Sequence, residues 1–110
     1  MHPLYASTAL AAALFASHPA AHAQWQPVGI PAFSTNMVDY PVLAIGTDDL
    51  PYVVFSDWAH TSKLTAMKYS GSSWQILGNA GFSAGGVMDP TLAINAAGTP
   101  YVAYRDMANS

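Results

Sequence analysis

Cysteine is absent from the 110 residues, so no disulfide staples this chain and no thiol chemistry is open to it. Basic side chains are nearly as scarce. Lys63, Lys68 and Arg105 stand against six acids, every one an Asp, for a formal net charge of −3. With no basic cluster, neither nucleic acid nor an anionic membrane is expected as a partner. Helical periodicity is missing beyond residue 23, which excludes a helical bundle. A nucleophile elbow, a phosphate loop and a zinc-ligand spacing are missing too, so motifs assign no catalytic residue, metal or cofactor.

Charge is also missing from one particular place. Residues 1–23 contain no Asp, Glu, Lys or Arg. Residues 7–17, STALAAALFAS, form a short apolar run, Pro19 breaks any helix, and Ala21-His22-Ala23 fits a small-x-small cleavage site. This is the anatomy of a secretory signal peptide, too short to remain as a membrane span. Cleavage before Gln24 leaves residues 24–110, and the expected location is secreted, periplasmic or at the cell surface. Without disulfides, this exported piece must be held by packing alone, which is marginal at such a size.

What the chain has is a repeat. Residues 41–57, PVLAIGTDDLPYVVFSD, return as residues 90–106, PTLAINAAGTPYVAYRD, at an offset of 49. The same offset maps Trp25 onto Trp74 and Gly29 onto Gly78, and 15 of the 37 positions pairing 25–61 with 74–110 are identical. The repeat units are 25–73 and 74–110, the second of them truncated.

Within a unit, turn residues separate short alternating segments. Residues 24–29 read as a short strand with Pro27 confining it to an edge, and residues 30–40 as a loop. Val42 to Gly46 is a buried strand, and Asp49 and Gly98 suit turn positions with positive φ. From Pro51, alternation sets Tyr52, Val54 and Ser56 on one face and Val53, Phe55 and Asp57 on the other. Residues 63–69 alternate again, Ser70-Gly71-Ser72 turns the chain, and residues 73–78 carry a further strand with Trp74.

Four antiparallel strands in a repeat of about 40–50 residues is the pattern of a β-propeller blade. The expected fold is therefore all-β: a propeller fragment with one complete four-stranded blade, part of a second, and an N-terminal strand at Trp25 of the kind that closes a ring. Two blades do not close a ring, so the chain reads as a fragment of a longer protein. In isolation it is expected to self-associate through the unpaired edge at residues 100–106.

The segments Trp74-Gln75-Ile76-Leu77-Gly78 and Gly98 to Asp106, with Met67 to Trp74 at the junction between blades, resemble repeats of exported bacterial β-propeller proteins. The resemblance implies the architecture and no particular activity. Kelch blades are similar in length, but Gly85-Gly86 has no counterpart at Asn36-Met37. The sialidase Asp-box does not match either, because Thr47-x-Asp49 runs into Pro51.

Three residues are candidates for ligand binding: Asp57, Asp106 and Trp58. Both acids end the second strand of their unit, where a carboxylate can reach a ligand or accept backbone N–H bonds in the turn. Trp58 has Met107 as its equivalent, and a non-repeating aromatic at a hairpin tip suits an exposed contact, for example with a sugar ring. Asp48-Asp49 supplies too few oxygens for calcium. His60 lacks a second ligand nearby in sequence and reads as a solvated turn residue. The function expected is a binding or interaction module for carbohydrate or a protein surface. The alternatives are a glycan-active enzyme whose catalytic residues lie elsewhere and a structural cell-surface protein.

Overall fold

Period-two alternation and turn chemistry produce six strands: β1 (Val38–Ile45), β2 (Pro51–Asp57), β3 (Lys63–Tyr69), β4 (Trp74–Ile76), β5 (Val87–Ile94) and β6 (Pro100–Asp106). The computed structural model describes residues 24–109, so the expected leader at 1–23 lies outside the described residues. β1 to β4 form a four-stranded antiparallel sheet in sequence order, and β5 and β6 form a two-stranded one. Among the described residues the only helical turn is a 3-10 turn at Trp58–His60. The architecture is all-β.

The repeat is visible in the backbone. In the β1–β2 turn Gly46 N donates to Leu50 O and Asp49 N to Gly46 O; in the β5–β6 turn Asn95 N donates to Thr99 O and Gly98 N to Asn95 O. Those are equivalent bonds 49 residues apart. Both turns pass through the left-handed region at one equivalent position, Asp49 at φ +64° and Gly98 at φ +83°. Side chains assist differently: Asp48 Oδ1 accepts from Leu50 N, while Asn95 Oδ1 accepts from both Ala97 N and Thr99 N.

Both hairpins also carry a bulge at one repeat position, between Asp39 and Val42 and between Met88 and Thr91. Each bulge holds a left-handed residue followed by proline: Tyr40 (φ +54°) before Pro41, and Asp89 (φ +51°) before Pro90. Proline cannot donate to the ladder, and the extra residue of a bulge takes it out of the pairing. Because the ladder resumes beyond the bulge, β1 starts at Val38 and not at Val42.

The core lies between the two sheets. Val54, Leu64, Ala66 and Val87 are buried together, with Val42, Leu77, Leu92, Val102 and Tyr104 packed around them. β5 lies against β1 and β2. Tyr52 and Val54, on the face predicted from alternation, are turned toward the second sheet and are 5% and 1% exposed. The opposite face of the first sheet is covered in part by the N-terminal segment, where Phe33 stacks on Trp74 with ring centroids 4.3 Å apart.

Two expectations need correction. Residues 24–29 form no strand, so the N-terminal ring-closing strand is absent from the fold. Pro27 removes a donor from the middle of that short segment, and the carbonyl of Val28 is taken by the Trp74 indole at 2.8 Å. Trp25, the repeat equivalent of Trp74, is 96% exposed. Trp74 itself is only half-buried, and its strand contracts to three residues, Trp74–Ile76.

Candidate functional site

β2 and β6 both run toward one rim of the molecule, which places Asp57 and Asp106 at the same end. Val87 N donates to Ser62 O at that end, and Met107 N to Gly86 O, so the turn after β2, the segment before β5 and the turn after β6 are joined there. Two glycines allow the close approach. A Cβ on Gly81 would stand 2.6 Å from the His60 Cβ, and one on Gly85 would stand 2.5 Å from the Ala108 Cβ.

Asp57 is buried, and its carboxylate organises the rim. Oδ1 accepts from Ala59 N at 3.1 Å, capping the 3-10 turn. Oδ2 accepts from the Thr65 hydroxyl at 2.8 Å and lies 3.1 Å from His60 Nδ1. The Thr65 hydroxyl oxygen in turn accepts from Gly81 N at 2.8 Å. A buried chain of hydrogen bonds thus runs from residue 81 through Thr65 to Asp57. The hairpin turn following Asp57 requires left-handed backbone at Thr61 (φ +54°) and Ser62 (φ +63°), and the capping carboxylate helps hold it there.

Asp106 repeats part of this. Its Oδ1 accepts from Ala108 N at 2.9 Å, the bond equivalent to Asp57 with Ala59, and its Oδ2 accepts from the Asn109 side chain at 3.2 Å. Where Asp57 is sealed, Asp106 is half-exposed. Trp58 projects from the turn after β2, 48% exposed, and its indole N–H donates to Asp39 Oδ2 at 2.7 Å. The bond fixes the ring beside a carboxylate. His60 is partly exposed, with Asp57 as its hydrogen-bond partner among the described residues.

The Asp48-Asp49 pair, set aside as a calcium site, lies in a different turn. Asp48 pairs with Lys68 Nζ at 2.8 Å in the β1–β2 turn, and that ammonium also lies 5.1 Å from the centre of the Tyr52 ring. The hydrogen bond from Lys68, aided by the Leu50 N–H, lowers the Asp48 carboxyl below its ordinary value of 3.8. The same contact raises Lys68 above 10.5. Among the described residues no group of three or more His, Cys, Asp or Glu could hold a metal ion, and no helix is long and apolar enough to cross a membrane.

Sequence reasoning missed two hydroxyls and a cleft. Ser83 is buried, accepts from Leu64 N at 3.0 Å and donates to Gly85 O at 2.7 Å. The recurrence of Phe33-Ser34 as Phe82-Ser83 was a signal for it. Thr65 carried no such mark. The cleft, of about 600 Å³, lies between the sheets and is walled by Val54, Ala66, Leu77, Leu92, Val102 and Tyr104, among others. Comparison of the chain with protein-family models, curated proteins and solved structures finds no match.

Proposed function

We propose that the chain carries neighbouring blades of an exported β-propeller and serves as a binding module, with Trp58 as the contact residue for a carbohydrate. The reading is carried by one observation: a half-exposed indole, unique to its repeat, is hydrogen-bonded to Asp39 at a rim tied together by the buried Asp57 network. A fixed aromatic face loses little freedom on stacking against a sugar, and neighbouring carboxylates accept from sugar hydroxyls. Asp39 is the carboxylate hydrogen-bonded to the ring. Asp57 acts behind it, by fixing the turn, and Asp106 is the more accessible of the two repeated acids.

The four-stranded meander and the equivalent hairpin packed on its face support the propeller reading, and the apolar leader ending in Ala21-His22-Ala23 supports export. Sequencing the amino terminus of protein recovered outside the cytoplasm should give Gln24; an intact Met1 on a cytoplasmic pool would refute export. For binding, a glycan array probed with the full chain is expected to give hits that Trp58→Ala loses by at least about tenfold. Trp58→Phe should retain most of the binding. An array with no hits, or hits unaffected by Trp58→Ala, would overturn the proposal.

A further inference from the structure

Trp58 and Asp39 change together between two units whose local backbone is the same. Close neighbours keep their identity at the offset of 49: Val38 returns as Val87, Pro41 as Pro90, Asp57 as Asp106 and Ala59 as Ala108. Asp39 and Trp58 instead become Met88 and Met107. Beneath them, Trp58 N donates to Met37 O at 3.1 Å as Met107 N does to Gly86 O at 2.9 Å, and a bulge follows Asp39 as one follows Met88. The fold accepts methionine at both positions, so the Trp58–Asp39 pair serves something other than the shared turn and bulge.

The pair has the parts of a cation site. Indole offers the strongest π-face of any side chain, and this one is half-exposed. Its N–H donates to Asp39 Oδ2 at 2.7 Å, a charge-assisted bond that pushes electron density into the ring and strengthens the face for a cation. Asp39 is itself exposed, and its Oδ1 accepts no hydrogen bond among the described residues. Of the three basic side chains, Lys68 is held by Asp48 at the far end of β2 from Trp58. Lys63 and Arg105 stand at the rim by register, opposite Asp57 and Met88, and are outnumbered there by Asp39, Asp57, Asp89 and Asp106. That balance disfavours a uronic or sialic acid and favours an ammonium group. Resting on the carbohydrate reading of Trp58, we propose that this pair selects a sugar bearing a free amine, a glucosamine unit. Its ring lies on the indole face, and its ammonium sits at the Nε1 edge, shared between the π-electrons and Asp39 Oδ1.

The probes are a short glucosamine oligosaccharide, its N-acetylated form and choline, each titrated into the full chain at about pH 6, below the range of an ordinary α-amino group. Binding is followed through the indole N–H resonance of Trp58. The free-amine sugar is expected to bind at least about fivefold more tightly than the acetylated one. Its advantage should shrink as salt is raised, because an exposed charge contact is screened. Asp39→Asn should remove most of the preference and leave affinity for the acetylated sugar within about twofold of the parent. Acetylation and salt leave the chain unaltered, so those two arms decide the matter even if the variant folds poorly. Choline carries the cation without the ring and should bind at least about tenfold more weakly than the amino sugar. Equal or tighter binding of the acetylated sugar at Trp58 would overturn the amine preference and leave the carbohydrate reading standing. So would a preference that Asp39→Asn does not alter. Choline binding as tightly as the amino sugar would assign the pair to an alkylammonium ligand and overturn the proposal. No shift of Trp58 with either sugar would overturn the proposal and the carbohydrate reading together.

Discussion

Asp57 and Asp106 are the same residue at the same repeat position, and their replacement by alanine should have very different consequences. At Asp57 the substitution removes the acceptor of the Thr65 hydroxyl, which is buried, and of the Ala59 N–H in the part-buried turn. Each buried unsatisfied donor costs about 1–3 kcal/mol. The Thr65 hydroxyl also recovers part of its loss by rotating, so the sum for Asp57→Ala is about 2–4 kcal/mol. At Asp106 the carboxylate is half-exposed and water replaces it. That loss is comparable to removing an ordinary capping side chain, about 0.5–1 kcal/mol. Urea denaturation of both variants and the parent, with a common slope, would read the difference as a shift in midpoint. Asp57→Asn should fall between, since it keeps an acceptor for Ala59 N and replaces the other oxygen by a donor facing a donor. Equal losses for the two alanine variants, or no loss at Asp57, would refute the reasoning that the buried carboxylate holds the rim.

Two further outcomes follow from the same geometry. Gly81→Ala places a Cβ within contact distance of His60 at a backbone with φ +64°; it should destabilise by about 1–3 kcal/mol and move the His60 and Thr65 resonances. The Asp48–Lys68 pair gives a pH signature. Asp48 is lowered by its bond from Lys68, so its contribution is complete above 3.8 and disappears as pH falls through the depressed folded value. Lys68 is raised, so its share is complete below 10.5 and disappears as pH rises through the elevated value. Thermal melts of Asp48→Asn against the parent should differ at neutral pH and converge in acid; a difference that persists or grows in acid would contradict the pairing.

Strands β2, β3 and β6 were legible because alternation is a local property, and the turns at Asp49 and Gly98 because positive φ restricts residue choice. The start of β1 was hidden by the bulge: Tyr40-Pro41 looks like a loop until the ladder is seen to resume on its far side. At residues 24–29 homology to a strand misled, since a strand is defined by its partner and the segment pairs with none. The candidate site shows the same limit. That Asp57 would serve its own turn could be argued from sequence, because Ala59 is two residues away. Its bond to Thr65, and the bond from Gly81 to Thr65 across 16 residues, could not, since pairing and chain crossing bring them together.

Two repeat units pack face to face around one core, and methyl-to-methyl NOEs are the sharpest check on that packing. Val87 of the second unit is buried with Val54, Leu64 and Ala66 of the first. Selective methyl labelling of the full chain should therefore give NOEs from Val87 to Leu64, Val54 or Ala66, along with contacts from Leu92 and Val102 to the first sheet. Intact NOEs within each sheet, with none between them, would show two hairpin units moving independently and would contradict the shared core.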